Sequence, residues 1–123
     1  LVDAERGGDS LAEVIDDGDD VAVAAITVAE LKVGVQLAKG GRRNTRERFV
    51  MAILGAVSIE PYDLDVAEAH AALLAHVRQA GTPRGAHDLI IAATARARER
   101  QVVSSDQAAF AELPGVSISD GSG

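Results

Sequence analysis

Short runs of β-branched and small apolar residues alternate along this chain with stretches whose apolar positions recur at helical spacing, and that alternation limits the folds open to it. Val21 to Ile26 is an unbroken apolar run, and Val57 to Tyr62, Val102-Val103 and Val116 to Ile118 follow at intervals. An uninterrupted run of this kind suits a strand buried on both faces, as in a parallel sheet. After the first run, Val28, Leu31, Val35 and Ala38 share one helix face, with Lys32, Gln36 and Lys39 opposite. Gly34 sits inside that helix at a cost of about 1 kcal/mol relative to Ala, which predicts close packing against another backbone. A second helix is predicted from Asn44 to about Leu54, with Asn44 and Glu47 at capping-box spacing and Phe49, Ile53 and Leu54 turned inward. Asp65 and Glu68 repeat the box and open a helix to Ala80 that buries Val66, Ala69, Leu73 and Val77 and is capped by Gly81. Asp106 to Ala111 reads as a short last helix. Strands alternating with helices imply an α/β fold, a three-layer α/β/α sandwich with a mostly parallel central sheet.

Leu1-Val2 reads as the end of a first strand truncated before Leu1, Ser10 to Ile15 as a short helix and Asp16 to Asp20 as a turn. Residues 1–119 are expected to form one domain, and residues 120–123 a flexible tail. The 12 basic and 19 acidic residues give a net charge of −7, which argues against holding nucleic acid by bulk charge alone. The distribution is uneven, because Lys39, Arg42, Arg43, Arg46 and Arg48 are offset only by Glu47. That run is either a solvated loop and helix start or a small phosphate-contacting patch. There is no cysteine, so neither disulfides nor thiolate metal sites enter. The longest uncharged run, Phe49 to Ile59, is too short to span a bilayer, and no signal peptide is readable. A cytoplasmic protein with no membrane contact is the expectation.

Function is sought in the carboxylates. Asp88 opens a helix that is otherwise nearly all apolar, Leu89 to Ala95, just after the breakers Gly81, Pro83 and Gly85. Glu30 follows the first buried run, and Asp106 follows Val102-Val103, so both fall at strand carboxyl ends, where ligands of such folds bind. Each acid has a structural alternative. Asp88 complements a helix dipole, Thr27 and Glu30 are spaced as a capping box, and Ser105 or Asp106 can cap the last helix. Together, however, three carboxylates gathered at one sheet edge repel by roughly 4 kcal/mol per pair at 4 Å and an effective dielectric of 20, and so favour a cation. Oxygen-only ligands select Mg²⁺, or Mn²⁺, over zinc. His70 and His76, six residues apart on one helix, face different directions and cannot share a metal.

Thr27-Val28-Ala29-Glu30-Leu31 with Gly34, His87-Asp88 with Ile91-Ala92-Ala93, and Val103-Ser104-Ser105-Asp106 with Phe110 resemble the ordered acidic motifs of PIN-domain nucleases, and among these the VapC-type toxins of bacterial toxin–antitoxin pairs. The resemblance covers nearly the whole chain. It implies a Mg²⁺-dependent endoribonuclease whose metal is held by Glu30, Asp88 and Asp106, with Ser104 contacting a metal-bound water or the substrate. It also implies an RNA substrate, a homodimer and a cognate antitoxin that blocks the site. The family's first acid ends the first strand and would lie upstream of Leu1; Asp3 falls in the following segment and is not assigned to its place. His87 stands where the family often has Asn and reads as an exposed loop residue. Two alternatives stay open, a receiver-like signalling module with an acidic Mg²⁺ pocket and a catalytically dead binding protein on the same fold.

Overall fold

The structure, a computed structural model, describes residues 20–104 and 106–119. The expectations for Leu1-Val2, for Ser10 to Ile15, for most of the Asp16 to Asp20 turn, for Ser105 and for the tail lie outside the described residues. Strand β1 (Ala22–Ala24) leads into helices α1 (Ala25–Leu37) and α2 (Gly41–Ala56), then β2 (Ser58–Glu60). Helices α3 (Leu64–Ala80) and α4 (Ala86–Ala97) follow, then β3 (Val102–Val103), a 3-10 turn at Gln107–Ala109, and β4 (Ile118–Ser119).

Both strand pairings are parallel. Ala22, Val23 and Ala24 lie opposite Ser58, Ile59 and Glu60, and Val102 and Val103 lie opposite Ile118 and Ser119. The three-layer arrangement is written in the alternation along β1. Ala22 and Ala24 belong to a core with Val66, Leu73 and Val77 of α3, Leu89 and Ile91 of α4, Val102 and Phe110. Val21 and Val23 face the other way, into a second core with Ile53, Val28, Leu31 and Val57. A strand with successive side chains in two different cores has helices on both faces. Helix α4 is the central helix the sequence predicts, with Leu89 and Ile91 to Ala95 all buried. Its one buried hydroxyl, Thr94 Oγ1, donates to the carbonyl of Ile90 at 2.7 Å.

Several boundaries differ from expectation, each for a packing reason. The run to Ile26 is not all strand, because α1 begins at Ala25 with Ala24 as its uncapped N-cap. The helix lets Ile26 pack on the α3–α4 core and Val28 and Leu31 on the opposite one, which outweighs β-branched preference. Thr27 and Glu30 therefore lie inside α1 and form no capping box. Helix α2 starts three residues before Asn44, directly after Gly40, whose φ of 61° makes the turn. Asn44 and Glu47 are thus interior, and Val50 and Ile53 take the inward face while Phe49 is exposed. Strand β2 stops at Glu60 because Pro61 supplies no N–H to a ladder. Helix α3 is capped by Asp63, whose Oδ1 accepts from Val66 N–H at 3.1 Å, two positions earlier than the Asp65–Glu68 box. Gly81, at φ 67°, ends α3 as expected. Gly34 meets a side chain and not a backbone, since a Cβ there would lie 3.1 Å from Arg46 Nη1.

A chain of ion pairs closes the structure around β2. Arg98 Nε and Nη2 donate to Glu60 Oε2 at 3.0 Å and Asp63 Oδ2 at 2.7 Å. Arg100 approaches Glu60 Oε1 at 3.4 Å and Asp20 Oδ2 at 3.2 Å. Among the described residues no helix is long and apolar enough to cross a membrane.

Candidate active site

The start of α4 is shaped around Asp88. Gly85 is the N-cap residue and offers no side chain to the first turn, which places Asp88 where free N–H groups and the positive end of the helix dipole favour a carboxylate. A Cβ on Gly85 would sit 3.0 Å from Asp88 Oδ2 and 3.6 Å from Cγ, so the carboxylate lies back across the helix end in space that only glycine leaves open. Its Oδ1 is buried. Gly85, read from sequence as a chain breaker, is also the floor of the site.

Glu30 comes from α1, which packs against α4. Its side chain is largely buried, and His87 Nδ1 lies 3.3 Å from its Oε1. His87 is exposed, as expected, yet it belongs to the first turn of α4 and joins the residue before Asp88 to the α1 carboxylate. The structure thus brings Glu30 and the Asp88 turn to one junction. Thr27, one turn before Glu30, is also buried there, and its hydroxyl has no hydrogen-bond partner among the described residues.

Asp106 is placed differently. It caps the 3-10 turn after β3, with Oδ1 accepting from Ala109 N–H at 3.3 Å. Ser104 is buried, and its Oγ accepts from Asp106 N–H at 3.0 Å while its carbonyl accepts from the Gln107 amide at 3.1 Å. The hydroxyl predicted to meet water or substrate thus holds the Asp106 loop. Among the described residues no group of three or more acids and histidines is close enough to hold a metal ion. The expected convergence of Glu30, Asp88 and Asp106 on one point is therefore not seen as a closed ligand set. The donor chemistry at the α1–α4 junction still fits a hard divalent cation. Two carboxylates with buried oxygens sit there, one at a helix end, and no sulfur is present.

The PIN domain family matches residues 1–116. The chain belongs to the PIN-domain family. This PIN domain is 36% identical over 100 residues to the VapC ribonuclease Y4jK of Sinorhizobium fredii, a match covering 78% of this chain and 71% of that protein. Among solved structures, FitAcB from Neisseria gonorrhoeae superposes with a TM-score of 0.80 at 30% identity, covering 96% of this chain and 94% of the other. VapBC-5 from Mycobacterium tuberculosis, a member of the VapBC family of toxin–antitoxin systems, superposes with a TM-score of 0.70 at 33% identity, over 80% and 79%. A PIN domain is not a receiver module, which removes that alternative. Sequence reasoning singled out Asp88 because it opens an apolar helix, and Glu30 and Asp106 because each follows a buried apolar run. It passed over the Glu30–His87 contact and the Gly85–Asp88 fit, because neither leaves a periodic trace.

Proposed function

We propose that this PIN domain is a metal-dependent endoribonuclease toxin that hydrolyses RNA phosphodiester bonds and is inhibited by a cognate antitoxin. The observation that carries the reading is the α1–α4 junction, where Glu30 and Asp88 present carboxylates on a chain 36% identical to a VapC ribonuclease. Glu30, Asp88 and Asp106 would hold Mg²⁺, or Mn²⁺. When bound, such an ion supplies Lewis-acid chemistry at a phosphodiester. Asp88 lies in the first turn of α4, where the helix dipole favours a negative group. His87 Nδ1 lies beside Glu30 Oε1 at 3.3 Å, and Ser104 positions Asp106 through its backbone N–H. A toxin–antitoxin pairing is supported by the similarity to VapBC-5, and a homodimer is part of the same reading.

The test is RNA cleavage with and without Mg²⁺ by the wild type, Glu30→Gln and Asp88→Asn. Each substitution removes an anionic oxygen with almost no change of volume. Cleavage should require the metal and fall by more than about 100-fold in each variant, the size of loss when one group of a preorganised electrostatic site is removed. Wild-type protein that binds RNA but does not cut it under any divalent metal would favour the dead binding protein.

A further inference from the structure

Gly34 lies four residues beyond Glu30 on α1, one turn along the same helix face. A glycine in a helix interior costs about 1 kcal/mol relative to alanine, so its position needs a reason. Among the described residues beyond the helix's own backbone, the three atoms nearest a Cβ at that position belong to the side chain of Arg46, with Nη1 at 3.1 Å, Cδ at 3.6 Å and Cζ at 4.0 Å. Gly34 is therefore a seat for Arg46. The seated guanidinium is not there to neutralise an acid, because Arg46 forms no ion pair among the described residues. It is also not isolated. Arg42 lies one turn earlier on α2, and Arg43 reaches back to Gln36 of α1 at 3.4 Å, so the α1–α2 hairpin carries a block of positive charge on a chain whose net charge is −7.

A cation that rests on Gly34, one helical turn along α1 from Glu30, suits an anion that enters from outside. A guanidinium fork matches the oxygens of a phosphate, and contacts of this kind set the register of a nucleic-acid backbone without reading its sequence. We propose that Arg46, seated on Gly34, is a substrate-contacting residue that holds a backbone phosphate of RNA beside the Glu30–Asp88 junction, with Arg42 extending the contact along α2. This rests on the ribonuclease reading above.

RNA binding is measured against salt in a Glu30→Gln background, which keeps the RNA intact, and single-turnover cleavage is measured in the native background, with circular dichroism on every variant. Arg46→Ala should weaken RNA binding about tenfold, as expected for a lost charge-assisted contact. It should also make the slope of log binding constant against log salt shallower by about 0.7, the share of one single-strand phosphate. KM should rise while kcat is retained. Arg46→Lys should restore the salt slope but only part of the affinity, because it keeps the charge and loses the fork. Gly34→Ala should weaken binding with no change of charge, by unseating Arg46. Arg78→Ala, on α3, should change neither. If Arg46→Ala matches wild-type affinity and salt slope while Glu30→Gln has lost cleavage, the phosphate contact is wrong and the ribonuclease reading stands. If the wild type neither cuts nor binds RNA, the ribonuclease reading fails and the Arg46 contact with it.

Discussion

At the scale of single residues, two glycines serve different ends, and the difference can be measured. Gly81 is needed for its backbone, since a φ of 67° is left-handed and a side chain there is strained. Gly85 has an ordinary φ of −57° and is needed for space, because a Cβ would press on Asp88 Oδ2 at 3.0 Å. Gly81→Ala should therefore cost about 1 kcal/mol of stability and leave RNA cleavage per folded molecule unchanged. Gly85→Ala should cost a similar amount of stability but also lose cleavage per folded molecule. Displacing a catalytic group by about 1 Å can cost up to about 100-fold in rate, whereas a poorer N-cap costs only about 1 kcal/mol. Urea melts and cleavage rates on the two variants decide this, and equal activity in Gly85→Ala would show that Asp88 does not need its observed orientation. Asp88 was legible in the sequence because a carboxylate opening an apolar helix demands a cause. The His87 contact was not, since it joins residues on α1 and α4 far apart in the chain, and only the packed fold brings them within 3.3 Å.

At the scale of elements, the order of strands and helices could be read, but their ends could not. Burial on both faces leaves an unbroken apolar run in the sequence, so β1, β3 and α4 were visible. The end of such a run is set by what each side chain packs against, which is why Ile26 and Val28 lie in a helix. The start of α3 shows a second limit. Two acids two residues apart, Asp63 and Asp65, can both serve as N-cap, and Asp63 is chosen because Arg98, from the end of α4, also reaches it at 2.7 Å. The Val66 N–H and then the Arg98 guanidinium hold the Asp63 carboxyl below its ordinary value of 3.8. The same contacts, Asp63 first and then Glu60, raise the Arg98 guanidinium. Between the folded and unfolded values of Asp63 the unfolded chain binds more protons, so stability rises with pH there and is lost as pH falls through the folded value. Melting temperature should therefore drop below about pH 4, and Asp63→Asn, which can still cap, should show a shallower drop over that window. An unchanged pH profile in Asp63→Asn would mean that other carboxylates govern acid unfolding.

At the scale of the whole molecule, exposed apolar side chains fall into groups. Val33 and Leu37 lie four residues apart on α1 and are 54% and 75% exposed, while Ile59, Tyr62 and Leu64 cluster within six residues at β2 and the start of α3, with Leu64 75% exposed. Single exposed apolar side chains are ordinary, but such groupings mark association surfaces. Gly34 itself is covered by Arg46, so a dimer contact along α1 falls to Val33 and Leu37. Leu37 does not pack against either core, and Leu37→Glu should leave the fold intact while converting a dimer to a monomer in light scattering. A wild type that is monomeric at high micromolar concentration would end the dimer reading. Salt gives an independent check. Two copies, each at −7, repel, and added salt screens that repulsion over a Debye length of about 10 Å at 0.1 M, so the dimer should tighten as salt rises. RNA binding through Arg46 and its neighbours should loosen over the same range, because released counterions drive it. Opposite salt dependences for the two equilibria require two separate surfaces on one small domain. Dimer and RNA affinities that fell together would show that the basic hairpin takes part in both.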